Sequence, residues 1–207
     1  NPRKDYEVRE VLACMIDAES FDEYKAEYGQ SVVCGTARIG GFSVGIVANQ
    51  HHQVRPAEGP IQFGGVLYVD SAGKAARFVM ICNQDWLPLI FFHDVNGFMV
   101  GRDSEQAGII KAGAKLVNAV SNSRVPKLSV MIGGSFGAGN YAMCGKAFDP
   151  RLIFAWPQAR CAVMGGDQAT STLLEVMVKS LQRQGHAVDA AELDSLRSRV
   201  KGDYDRQ

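Results

Sequence analysis

Gly133-Gly134-Ser135-Phe136-Gly137 sets a serine between glycines, and Ala138-Gly139 follow at once. The segment satisfies G-x-S-x-G, the nucleophile elbow of a serine hydrolase, and Asp167 and His186 come later in the chain order such a triad needs. Two features oppose that chemistry. An elbow wants its helix directly after the serine, whereas further glycines intervene here, and His186 sits in the polar segment QRQGHAVD. Gly137-Ala138-Gly139-Asn140-Tyr141-Ala142 also fits a relaxed dinucleotide fingerprint, but no acidic residue stands about 20 positions on to take a ribose hydroxyl. The third chemistry uses the backbone alone. Leu128 to Ile132 reads as a short strand, Gly133 to Gly137 as a loop, and Ala138 to Cys144 as a small, apolar, buried helix. Such a helix leaves its first N–H groups unpaired and partially positive. Glycines at 133, 134, 137 and 139 would let a ligand reach that backbone without Cβ interference. The segment is then a place to hold a negative oxygen, as an oxyanion hole does. A glycine-rich turn that merely packs closely is the plain alternative.

Other reactive side chains point to less. His51-His52 and His93-Asp94 could be drawn together as a metal site, but adjacent residues of a strand face opposite ways, so polar loop residues are the preferred reading. Cys14, Cys34, Cys82, Cys144 and Cys161 are odd in number and dispersed without C-x-x-C spacing. They read as reduced, buried thiols of a reducing compartment, the cytoplasm or a mitochondrial matrix. Lys plus Arg and Asp plus Glu both number 22, so charge implies no polyanion and nucleic-acid binding is not expected. No apolar run approaches about 18 residues, so no membrane insertion is expected, and the opening NPRKDYEVRE lacks the apolar core of a signal peptide. A chain of 207 residues, 46% hydrophobic and 21% charged, suits one ordinary globular domain.

The elements that must position the glycine segment follow from periodicity. Asp5 to Asp17 reads as a helix capped by Asp5, and Phe21 to Gly29 as a second helical piece. Ser31 to Arg38 and Phe42 to Asn49 form a hairpin about Gly40-Gly41, followed by a polar loop from His51 to Gly65. Ser71 to Gln84 is a helix burying Ala72, Ala75, Ala76, Val79 and Met80, with Lys74 and Arg77 off that face. Pro88 to Val95 is apolar throughout, as in a sheet covered on both sides. A loop from Asn96 to Gly101 leads to one long helix from Ser104 to Asn122. After the central segment come short strands at Arg151 to Ala155 and Cys161 to Met164, a helix from Asp167 to Gln182, and a weak amphipathic stretch from Asp189 to Val200. Strands alternating with helices indicate an α/β fold. Two strands end in glycine-bearing loops, Asn96 to Gly101 and Gly133 to Gly137, which are expected to face one cleft.

Taken together, Val44 to Asn49, Gly73 to Phe78, Asp94 to Gly101, Gly113-Ala114-Lys115, GGSFGAGNYAMCG, Trp156-Pro157 and Val163 to Gly166 resemble the carboxyltransferase β subunits of biotin-dependent acyl-CoA carboxylases. The GGS-aromatic-GAGNY form of the central loop is most similar to methylcrotonyl-CoA carboxylase members. The resemblance covers roughly residues 1 to 182. It implies a crotonase-superfamily fold, the ClpP/crotonase spiral of β-β-α units. It further implies that residues 1 to 207 are the C-terminal, biotin-side domain of a larger two-domain subunit, a fragment expected to be inactive alone.

The family's chemistry assigns roles by position in the motif. Loss of CO2 from carboxybiotin leaves negative charge on the ureido oxygen, and the backbone N–H groups of Ala138 and Gly139 fall where the two donors belong. Phe98, Val100, Gly101 and Gly137 fall on the biotin side, and Tyr141 where the acyl pocket is shaped, favouring a larger or branched acyl group. Phe98 as ordinary core is the plain alternative. The resemblance implies biotin carried on a partner protein or domain, no metal in this domain, an acyl-CoA substrate, a biotin carboxyl carrier or biotin carboxylase partner, and a homo-oligomer, hexameric at full length. One departure stands out: the His51 to Gly65 loop is longer than in acetyl- or propionyl-CoA carboxylases, which is also similar to glutaconyl-CoA decarboxylase subunits running the chemistry in reverse. A serine hydrolase at Ser135 and a non-catalytic assembly domain are the readings from other classes.

Overall fold

The structure is a computed structural model that describes residues 5–183 and 190–204. It divides into two compact units, Asn1–Cys161 and Ala162–Gln207.

The first unit is built on a mixed sheet. Helix α1 (Val8–Ala13) is capped by Glu7, whose carboxylate accepts the Arg9 N–H, and not by Asp5. Strand β1 (Asp22–Glu23) follows where a helical piece was expected. It pairs antiparallel with β2 (Val32–Ile39), Asp22 facing Thr36, so a tertiary partner overrides the local helical spacing. The β2 and β3 (Phe42–Asn49) strands form the expected hairpin, from Val32 opposite Asn49 to Ile39 opposite Phe42. A two-residue strand β4 (Val66–Leu67) leads to helix α2 (Val69–Gln84). Strand β5 (Leu89–Val95) then enters parallel to β3, and β6 (Gly97–Phe98) pairs with β4.

The long helix expected from Ser104 is two helices, α3 (Arg102–Gln106) and α4 (Ile109–Asn122). Gly108 breaks them with φ +96, a left-handed conformation that glycine adopts without strain. Strand β7 (Lys127–Phe136) lies parallel to β5, short helix α5 (Gly137–Ala142) follows it, and β8 (Leu152–Ala155) runs parallel along the other side of β7. Strand β9 (Arg160–Ala162) also pairs with β7, and the sheet order is β1-β2-β3-β5-β7-β8. The second unit holds helices α6 (Gly166–Arg183) and α7 (Ala190–Tyr204).

Alternating residues send each central strand into two cores. Leu89, Phe91 and Val95 join Ala72, Ala75 and Val79 of α2 and Ala112, Leu116 and Val120 of α4 on one face. Ile90 and Phe92 join Val8 and Leu12 of α1 on the other. This period-two division, with every residue of β5 buried, is what covering on both faces requires. Helix α2 departs from expectation in two places. Lys74 is buried and Met80 is half exposed, because α2 is covered both by the sheet and by α4, which turns its inward stripe away from Met80.

Candidate functional site

The glycine segment is mostly strand. Residues 133 to 136, expected as loop, continue β7, and Ser135 pairs with Val95 beyond a register slip between His93 and Val95. Gly137 makes the turn into α5 with φ +49, and Phe136 supplies no side-chain cap. The first N–H groups of α5, those of Gly137, Ala138 and Gly139, are therefore the ones that a helix leaves without an internal acceptor. Ala138 is exposed and Gly139 buried.

Most of the glycines serve the protein's own packing. A Cβ on Gly133 would collide with the Asp94 carboxylate, one on Gly134 with the Phe136 ring, one on Gly139 with Val95 and Gly97, and one on Gly145 with Asn140. The close-packing alternative thus accounts for Gly133, Gly134 and Gly139, correcting the expectation that their missing side chains make room for a ligand. Gly137 is the one of the four with a left-handed backbone, which favours glycine. Because Gly139 touches Gly97, the two glycine-bearing loops do meet at the C-terminal ends of β5 and β7, as expected of adjacent parallel strands.

Two consecutive side chains at the end of β5 grip this turn from opposite faces. His93, fully buried, places Nδ1 2.8 Å from the Ser135 hydroxyl, which also accepts a 2.8 Å bond from Asn140 Nδ2. Its Nε2 is buried with no hydrogen-bond partner among the described residues, and the Met143 carbonyl acts on the ring only weakly. Burial pushes the His93 pKa down to about 4, against a smaller opposing effect of that carbonyl, so the ring is neutral. Ser135 is itself fully buried with its hydroxyl engaged, which overturns its candidacy as a surface nucleophile. His186 and the Asp167 side chain lie outside the described residues.

On the other face Asp94 accepts from the Gly134 N–H at 2.8 Å, from the Tyr6 hydroxyl at 2.6 Å and from His51 Nδ1 at 2.6 Å. The carboxylate only accepts, so His51 carries its proton on Nδ1. Tyr6 stacks on His51 with ring centroids 4.5 Å apart. Burial, then the Asp94 charge and hydrogen bond, hold the Tyr6 phenol well above its usual pKa and therefore protonated. The suggested metal pairing of His51 and His93 dissolves: both histidines have other partners on opposite faces of the sheet, and no cluster of metal-ligating side chains occurs among the described residues. Tyr6 carried no signal in the sequence. The pairing of His51 with Asp94 joins residues too far apart in the chain for periodicity to reveal.

The remaining candidates differ in exposure. The Phe98 ring packs on Gly113 of α4 and against the α2 and α4 core, as its core alternative required. Val100 is 79% exposed, and Gly101 has φ +112 with open space where a Cβ would be. Tyr141 is half exposed with its ring edge-on to Phe148 at 6.0 Å. Of the five thiols, Cys34, Cys82 and Cys144 are buried, whereas Cys161 as well as Cys14 is exposed because β9 is thinly covered.

The model of the carboxyl transferase domain family matches residues 1–207. The chain belongs to that family. It is 44% identical to the biotin-dependent 3-methylcrotonyl-coenzyme A carboxylase beta1 subunit of Mycobacterium tuberculosis over 207 residues, covering 100% of this chain and 36% of the relative. It is 38% identical to the mitochondrial methylcrotonoyl-CoA carboxylase beta chain of Dictyostelium discoideum, covering 99% of this chain and 32% of the relative. The beta subunit of P. aeruginosa geranyl-CoA carboxylase matches with a TM-score of 0.84 at 41% identity, over 100% of this chain and 36% of that one. The hexameric transcarboxylase 12S core matches with a TM-score of 0.83 at 34% identity, over the same shares. The fold is accordingly the crotonase-like fold of carboxyltransferases, and the methylcrotonyl flavour of the central loop agrees with the relatives. The chain spans about a third of the length of the curated relatives it matches.

Proposed function

We propose that this chain is the biotin-side half of a carboxyltransferase that moves a carboxyl group from carboxybiotin to an acyl-CoA. The observation that carries this reading is the start of α5, where the Ala138 and Gly139 N–H groups stand free of helical acceptors behind a residue that cannot cap them. Bound biotin supplies the carboxyl group and the ureido oxygen on which negative charge develops. The residues present fit it: exposed Val100 and open Gly101 offer an apolar surface with accessible backbone, suited to a neutral bicyclic ring with one strong acceptor, and Gly137 supplies the left-handed turn into α5. Phe98, packed on the core, backs that surface, and Tyr141 is assigned the role of limiting the acyl group, a role its half-exposed ring supports.

The site is completed by an acyl-CoA-binding half, a biotin-carrying partner and a homo-oligomer of this subunit, hexameric as in the transcarboxylase core. Relatives named for methylcrotonyl-CoA favour a branched acyl group and the carboxylating direction.

Single-turnover transfer from a charged biotin carrier to acetyl-, propionyl-, 3-methylcrotonyl-, geranyl- and glutaconyl-CoA, with the full-length subunit, tests this. Ala138→Pro is the informative variant, since proline is tolerated in a first helical turn and removes one donor at an exposed position. A loss of about 100- to 1,000-fold is expected. Unchanged transfer by Ala138→Pro would refute the donor assignment. Gly139→Pro is less informative, because its ring would strike Val95 and Gly97.

A further inference from the structure

The turn into α5 is held by a carboxylate that carboxyl transfer does not itself employ. Asp94 stands at the register slip between β5 and β7, where the backbone of β5 departs from regular pairing and the side chain can reach under its neighbour. One oxygen, Oδ1, accepts the Gly134 N–H at 2.8 Å. The other, Oδ2, accepts both the Tyr6 hydroxyl and the His51 Nδ1–H, each at 2.6 Å. The Asp94 N–H donates in turn to Asn49 Oδ1 at 3.2 Å. Gly133 has no side chain because this carboxylate fills the place of one.

Three donors from three separate segments thus converge on one largely buried anion. Such charge-assisted bonds are shorter and about twice as strong as neutral ones. The partners are themselves fixed: Tyr6 by its stack on His51, and the segment after it by Gln50, whose side chain accepts the Val8 N–H and donates to Glu7. A carboxylate anchored this firmly serves as a reference point for whatever it holds, and what it holds is the backbone entering the turn.

We infer that Asp94, fixed by Tyr6 and His51, is the positioning residue of the Gly133 to Gly139 turn, setting the direction of the Ala138 and Gly139 N–H groups. It touches no reactant and acts through the Gly134 amide. An amide side chain replaces it only at a cost: Nδ2 opposes both donors as they stand, so the Tyr6 hydroxyl must turn to accept, His51 must take its other tautomer, and the charge that strengthens all three bonds is lost. This inference rests on the carboxyltransferase reading and names a residue that the reading alone does not require.

A double-mutant cycle separates positioning from mere stability. In the full-length subunit with its charged biotin carrier, Asp94→Asn is expected to lower the single-turnover rate about 100-fold, the cost of a small misplacement of catalytic groups. The carrier concentration giving half-maximal rate should stay within about 3-fold. In the Ala138→Pro background the same change is expected to cost only about 10-fold, because one of the two donors it directs is already gone. Equal losses in both backgrounds, or no loss in either, would overturn the inference while leaving the proposed function standing. A wild-type subunit that transfers to no acceptor, with its carrier charged and bound, would instead condemn the proposed function and this inference with it. Should Asp94→Asn fail to fold, Tyr6→Phe takes its place in the cycle, with a smaller loss and the same non-additivity expected.

Discussion

Strands β5 and β8 flank β7 on either side, Phe91 and Ile153 both pairing with Ser129, and in sequence both are apolar runs, LIFFHDV and LIFA. Their burial is opposite. All seven residues of β5 are buried, whereas all four of β8 are exposed, with Phe154 51% exposed. An apolar run reports that burial would be favourable, not that this chain provides it. The helices α2 and α4 on one face and α1 on the other enclose β5. Strand β8 presents both faces outward at the end of the sheet, an edge of the kind that invites association.

The sharpest way to break this comparison is to truncate an aromatic on each strand. Phe91→Ala is expected to destabilise the chain by about 3–5 kcal/mol in urea titrations, and equal costs for Phe91→Ala and Phe154→Ala would show the two strands to be equivalent after all.

Enclosure also makes β5 acid-sensitive where β8, which has no titratable side chain, is not. The folded His93 pKa of about 4 lies below the unfolded value of 6.5, so the unfolded state takes up its proton first. Stability is therefore intact above pH 6.5 and falls as pH drops towards 4, by on the order of 3 kcal/mol. Denaturant titrations across that range should show the slope, and it should flatten in His93→Gln.

The cover over β5 contains a misfit of its own. Lys74 is buried with no hydrogen-bond partner for Nζ among the described residues, and burial lowers its pKa against the smaller opposing effects of Cys34, Glu23 and Asp70. Lys74→Met should raise stability by about 1–3 kcal/mol, since a buried cation whose burial outweighs the attraction of Glu23 and Asp70 is removed at similar volume. A destabilised variant would show that the ammonium has a role which its surroundings do not reveal.

The smallest effect belongs to β8. Phe154→Thr should change unfolding free energy by less than about 0.5 kcal/mol and yet reduce self-association in light scattering, because an exposed aromatic contributes to association rather than to folding.

Local signals were good guides wherever the partner of a segment lay close by or its burial was uniform. The hairpin about Gly40-Gly41 was legible because a tight turn sets its own register, and β5 because an unbroken apolar run has few other fates. The segment Phe21 to Gly29 misled, since Asp22 and Glu23 become a strand only through Thr36 and Gly35. Lys74 misled because its position on the α2 helix decides its burial less than the second layer packed on that helix.

For the site, the amino-acid order alone determined that a strand leads through glycines into a short helix and the family to which the chain belongs, because these depend on glycine placement and contiguous motifs, and the candidate donors Ala138 and Gly139 follow from the family resemblance. Only the tertiary structure decided what the glycines accommodate and what holds the turn. Asp94, His51 and Tyr6 meet through separate segments. Neighbours on one strand, His93 and Asp94, divide between its two faces. Contacts across such distances are set by how the sheet and its layers close on one another, and no local spacing encodes that.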